Sequence, residues 1–356
     1  MRRIQCRERI PSNNSAQHLL NLAGLSCSLP VLGATTIKIM LPAILYGCAY
    51  PTVENESIDT DVRITKASEQ VLQKAESIDV LIFNDDKMQK LDTYQRFDMI
   101  SCSSIKVASS VGDKMMSVIT NSRKERYDWT GILSRSSLEE ICAELEDETE
   151  TYPSMSGESR IRAGNPINLN VERLTSEIVL HSLSCRFKGK GYGDEALRNI
   201  RVYLTNVNAE FPFFTEESVQ PRRLVNRGGL DMDDISNFRE PESIMQELGY
   251  DLENATVYPD IRLRCYPNEV ELESMGTAFT RLVIEGEVAG TKYYWPININ
   301  RENDGNGISR NCRYIFDIKL SRLGQHDPDI PIETGWAEIK MEIEPWREKE
   351  DFGVRF

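Results

Sequence analysis

The residues with the most specific chemistry in this chain are Leu45-Tyr46-Gly47-Cys48, at the end of the run "IKIMLPAILYGC". A cysteine directly after Leu-x-Gly is the lipobox pattern of bacterial lipoproteins. The chain is cut before that cysteine, and the thiol is diacylated through a thioether, so no other side chain will serve. The preceding stretch, Ile37 to Tyr46, is apolar apart from Lys38. It is too short to span a bilayer, which takes roughly 20 residues. It suits the core of a cleaved leader, which takes about 7–15 with a positive charge before it and small residues at the cut. Tyr46 is bulky for its position. The competing reading is an apolar strand with an incidental cysteine. Residues 1–36 are polar, carry Cys6 and Cys27, and have no clear period. The expectation is a leader over 1–47, lipidation at Cys48, and an acidic tether over 48–60, "CAYPTVENESIDT".

Elsewhere the sequence offers little chemistry. It holds no GxSxG, HExxH or phosphate-cradling loop. Cys102, Cys142, Cys185, Cys265 and Cys312 form no CxxC, and His18, His181 and His326 are scattered, so no metal cluster is expected. The Gly-rich stretch Gly189 to Asp194 reads as a hairpin turn. Asp231, Asp233 and Asp234, and likewise Glu302 and Asp304, have the hard oxygens that calcium takes. Neither set completes a binding loop, so both read as solvated. His181 reads as a satisfied structural histidine, and Trp336 and Trp346 as core anchors. No catalytic residue, cofactor or metal is expected. That pattern favours a binding or assembly protein over an enzyme.

The elements that would carry such a function are strands. The chain has 356 residues with 40% hydrophobic and 28% charged, a globular composition that at this length suits two domains plus a leader. Its net charge of −14 argues against nucleic-acid binding, which relies on basic side chains. From Val62 the pattern has period two. "SIDVLIFNDDKMQKLDTYQRF" predicts a hairpin turning at Asn84-Asp85-Asp86. Further strands are predicted at "SVITNS", "NPINLNVERL", "EIVLHSLSCRF", "IRVYLTNV" and "DIRLRCY". "TRLVIEGEV" and "TKYYWPI" predict a hairpin around Ala289-Gly290, with Pro296 marking an edge or strand end. "YIFDIKLSR" alternates Tyr314, Phe316, Ile318 and Leu320. In the last strand, "WAEIKMEIEPW", Ala337, Ile339, Met341 and Ile343 alternate with charged residues, predicting one buried and one charged face.

Two helices are predicted. In "SLEEICAELEDE" the residues Leu138, Ile141, Cys142 and Leu145 share one face, with Ser137 and Glu140 as a capping box. The other lies at "EPESIMQELGY", between Pro241 and Gly249. Many short antiparallel strands with turn signals predict an all-β chain of β-sandwiches.

In this order the segments resemble a family. "DVLIFNDD", "YDWTGILSRSSLEEICAEL", "YPSMSGE", "VERLTSEIVLHSL", "RVYLTNV", "RCYPNEVE", "FTRLVIEGEVAGTKYYWPI", "ISRNCRYIFDIKLSRLGQHDPDIPI" and "EIEPW", with the lipobox-like Leu45–Cys48, are similar to the fimbrial anchor proteins and minor fimbrial subunits of the Bacteroidota. The likeness runs over roughly residues 60–350. It implies two tandem transthyretin-like β-sandwich domains, here 61–166 and 167–356, with a few short helices. It implies a fimbrial lipoprotein on the outer membrane, with other fimbrial subunits as partners, joined by exchange of an extended strand. Cys48 is the one matched functional position. Subunits that polymerise in this way are cut after an arginine, and Arg123 and Arg126 lie too deep in the first domain for that. The alternative is a surface lipoprotein that binds glycans for uptake or adhesion, with Tyr293-Tyr294-Trp295 as an exposed aromatic platform.

Overall fold

The computed structural model describes residues 57–346, apart from the short stretches 67–68, 71–74, 99–103, 188, 216–218, 254, 275, 303–304 and 334. Residues 1–53 and 54–356 are separate units, and the first lies outside the described residues. Cys48 and the leader therefore lie outside them too. Among the described residues no helix is long and apolar enough to cross a membrane.

The second unit is all-β and holds two sandwiches. In the first, β1 (Ser57–Lys66), β2 (Ser77–Asn84), β3 (Leu91–Asp98), β4 (Ile105–Ser110), β5 (Asp113–Thr120), β6 (Met155–Arg162) and β7 (Ile167–Asn170) form two sheets. β1 pairs antiparallel with β4 and parallel with β7. The facing sheet runs Glu172–Arg173, β6, β5, β2, β3. Its hairpin β2–β3 turns where Asn84-Asp85-Asp86 predicted. The two sheets close on a core that includes Val62, Ile64, Ile78, Val80, Ile82, Val107, Met116, Val118 and Leu169. Each such side chain taken fully out of water contributes about 1.5–3 kcal/mol.

β2 is buried on both faces, which is why "SIDVLIF" has no alternation. Val80 and Ile82 point into this core. Leu81 and Phe83 point the other way, beneath the segment that carries Trp129, Ile132, Leu138 and Leu145, and belong to a second, larger core.

That larger core continues into the second sandwich. Here β8 (Ser176–Cys185), β9 (Arg198–Thr205), β10 (Ile261–Cys265), β11 (Arg281–Val288), β12 (Thr291–Asn298), β13 (Cys312–Leu320) and β14 (Ala337–Pro345) build two more sheets. One runs β10, β8, β13, β14, the other Met245–Glu247, β9, β11, β12. The β11–β12 hairpin turns on Ala289 and Gly290, both at positive φ (50° and 76°), as a two-residue turn between right-twisted strands requires. Pro296 sits in β12, an edge strand, where the missing N–H costs no ladder bond.

The structure departs from the sequence expectations in five places. Ser57–Thr60, expected in the tether, open β1 and pair with Val107–Ser110. Residues 167–170, expected to open the second domain, pair with β1, and Glu172–Arg173 pair with β6, so the first sandwich runs to 173. Two pairings are parallel, β1 with β7 and β8 with β13. The first expected helix is only Arg135–Glu139, capped by the Ser134 hydroxyl rather than by Ser137. Cys142–Glu144 instead pair with Glu210–Pro212 of the second sandwich, and inter-strand bonding overrides the helical period. The second expected helix is a single 3-10 turn, Pro241–Ser243, followed by a strand paired with β9.

The two sandwiches are tied by more than the Cys142–Glu144 pairing. Tyr127, Trp129 and Phe213 form an aromatic trio with centroids 5.3–5.5 Å apart. Ser156 Oγ donates to the Phe213 carbonyl, and Arg310 donates to the carbonyls of Glu172 (2.8 Å) and Arg173 (3.2 Å).

Candidate assembly edge

The last strand, β14, pairs with β13 on one side through nine residues, from Leu320↔Ala337 to Cys312↔Pro345. Among the described residues no strand pairs with its other side. Outward from the core the two strands form a charged ladder. Arg313 binds Glu344 (3.1 Å) and Glu177, and Lys319 binds Glu338 (2.6 Å). The Lys319 ammonium holds the Glu338 carboxyl below its usual range.

On the inner face Tyr314, Phe316, Ile318 and Leu320 of β13 are buried, as their alternation predicted. Their register partners Ile343, Met341, Ile339 and Ala337 are not. Ala337, Ile339 and Met341 are half-buried, and Ile343 is 49% exposed. The expected buried face of the last strand is thus only partly covered, because the strand lies at the margin of its sheet. Trp346 fixes its far end: its amide donates to the Asn311 carbonyl (2.9 Å), and the Arg173 guanidinium lies over its ring at 4.5 Å. An unpaired backbone beside half-covered apolar side chains can receive another strand, through ladder bonds along the edge and side chains at every second position. The sequence signal was the period-two alternation of β14.

Other residues singled out in the sequence take structural places. Arg123 pairs with Asp147, and Arg126 with Glu146 (2.8 Å), Asp147 (3.2 Å) and Glu144 (3.7 Å). Asp231 caps the turn Met232–Ile235, and Asp234 accepts from the Asn226 amide. Asp304 lies outside the described residues, and Glu302 is exposed. Among the described residues no group of three His, Cys, Asp or Glu is placed to hold a metal ion. Trp336 is half-buried and Trp346 buried.

Tyr293-Tyr294-Trp295 do not form a platform: Trp295 is fully buried with its indole N–H on the Arg322 carbonyl (3.0 Å), and the two tyrosines are half-covered. His181, expected to be a satisfied structural histidine, is paired with Asp317 and is exposed. Cys142, Cys185, Cys265 and Cys312 are free thiols.

No family model and no curated protein sequence matches the chain. Solved structures do share its fold. A candidate cell adhesion protein from Bacteroides eggerthii superposes with a TM-score of 0.64 at 16% identity, over 82% of this chain and 97% of that one. A fimbrilin, FimA, from Porphyromonas gingivalis superposes with a TM-score of 0.59 at 11% identity, over 81% and 97%. The tip fimbrial protein Mfa3 of the same organism gives 0.51 at 16% identity, over 82% and 100%. The chain therefore has the all-β fold of these fimbrial and adhesion proteins.

Proposed function

We propose that this chain is a structural, non-catalytic subunit of a cell-surface fimbria. It is held at the outer membrane by a lipid on Cys48, and it joins neighbouring subunits by β-strand complementation. Its place is that of an anchor or minor subunit. The observation that carries the docking is the β14 edge, whose outer side has no strand partner among the described residues and which borders the half-buried Ile339 and Met341 and the exposed Ile343. The fold shared with FimA and Mfa3 supports the fimbrial setting. The lipid rests on the Leu45–Cys48 pattern. β1 takes in Ser57–Thr60 of the expected tether, and residues 48–56 lie outside the described residues.

The arginines that could be mistaken for a processing site, Arg123 and Arg126, are held in ion pairs. That fits a subunit that stays uncut within its body. Metabolic labelling with an alkynyl palmitate tests the anchor. Label is expected on the parent protein and not on Cys48→Ser, and label retained on Cys48→Ser would contradict the anchoring.

A further inference from the structure

On the outer face of the second sandwich two neighbouring strands break at the same level. β8 bulges between Leu180, opposite Phe316, and Ser182, opposite Asp317, so His181 is the inserted residue with no ladder partner. On the other side of β8, Thr256–Val257 pair with Ser184 and Leu183, and β10 resumes the pairing at Ile261 opposite Leu180. The gap at 258–260 faces the bulge, and Asp260 within it takes a left-handed φ of 48°. Mid-strand bulges of this kind re-aim a side chain and interrupt pairing.

Here the break turns two rings outward. Tyr258 is 69% exposed, against 42% and 46% for Tyr152 and Tyr250, and its ring meets the His181 imidazole edge-on at 5.5 Å. His181 is fixed by its Nδ1 on Asp317 Oδ1 at 2.8 Å. The Ser182 hydroxyl donates to the same oxygen. The bonds from Ser182 and His181 hold the Asp317 carboxyl below its usual range. Asp317 faces Lys340 across the ladder from β14.

We infer that Tyr258, His181, Asp317 and Lys340 form a binding site for a neutral pyranose. The exposed tyrosine face takes the C–H face of the sugar ring. The His181 ring nitrogen not engaged by Asp317 and the second Asp317 oxygen hydrogen-bond its hydroxyls, and the Lys340 ammonium donates to another. Acceptors and a donor are mixed, the Asp317 and Lys340 charges oppose one another, and Asp260 in the gap is paired with Arg262 (2.9 Å). That balance suits a polyol, which offers both O–H donors and lone pairs, over an ion of either sign. Lys340 belongs to the docking strand β14, but none of the four residues needs a partner subunit, so the isolated chain tests the site whatever the outcome for docking.

Saturation-transfer NMR on the purified full chain tests it, with methyl β-glucopyranoside, methyl β-galactopyranoside, methyl α-mannopyranoside and N-acetylglucosamine as probes and Nα-acetyl-lysine N-methylamide as the cationic control. Transfer to the ring protons of at least one sugar is expected. It should fall at least five-fold in Tyr258→Ala and in Asp317→Asn and stay unchanged in Tyr250→Ala. Far-UV circular dichroism checks the fold of each variant, and Tyr258→Ala, an exposed truncation, keeps the test open if Asp317→Asn unfolds. No transfer to any of the four sugars, transfer retained in Tyr258→Ala, or acetyl-lysine displacing the bound sugar would overturn the assignment.

Discussion

Tyr266 of the second sandwich donates its hydroxyl to Glu148 of the first, at 2.9 Å, across the joint between them. Both residues are buried. Glu148 also accepts from the Ser154 amide (2.9 Å). Burial pushes the Glu148 carboxyl above its usual range, and the bonds from Ser154 and Tyr266 and the charge of Arg264 only partly offset that.

A carboxyl whose folded-state pKa is raised favours folding while it is protonated. Its contribution is complete below the unfolded value near 4.5 and is lost as pH rises through the raised folded value. Glu148→Gln keeps an acceptor for Ser154 and turns a donor toward Tyr266, with no charge to bury. Urea unfolding between pH 5 and 8 should show the variant gaining stability over the parent as pH rises. Parallel curves would contradict this.

Gly157 in β6 lies against β7, and a Cβ there would come within 2.1 Å of the Asn170 carbonyl oxygen. That oxygen is backbone and has no rotamer to escape by. Gly157→Ala should destabilise the first sandwich by about 1–3 kcal/mol, the usual cost of overpacking. Gly131→Ala, with open space around its Cβ, should change stability far less. Equal unfolding midpoints for the two variants would refute the close contact.

Burial pushes the thiols of Cys185 and Cys265 up to about 12. Cys142 and Cys312 are half-buried and also raised by burial. The thiolate is the reactive species. Iodoacetamide at pH 7.5, followed by peptide mapping, should modify Cys142 and Cys312 slowly, and Cys185 and Cys265 only after unfolding. Rapid modification of Cys185 in the native chain would contradict its placement.

The strands were legible wherever one face is buried and the other wet. Tyr314, Phe316, Ile318 and Leu320 are the clearest case, and the turn at Ala289-Gly290 was equally plain. The helical period of Leu138, Ile141, Cys142 and Leu145 misled because Cys142–Glu144 bond to Glu210–Pro212, a partner nearly 70 positions away that no local pattern announces. The parallel pairing of β8 with β13 joins residues still further apart and was hidden for the same reason. For the candidate edge, alternation in β14 fixed the strand and its inner face. It carried no information on how far the facing sheet reaches, and so not on the exposure of Ile343. His181 was legible as a strand histidine with a partner, but its outward exposure was not, because a one-residue bulge reverses which face a side chain takes.

The docking claim is tested most directly by photo-crosslinking in assembled fimbriae, with benzoylphenylalanine placed singly at positions 339 to 343 of β14. Strand complementation predicts crosslinks to a second subunit with a period of two, strong from positions 339, 341 and 343, whose side chains line the half-covered slot, and weak from 340 and 342. No intersubunit product, or equal yield from all five positions, would contradict it.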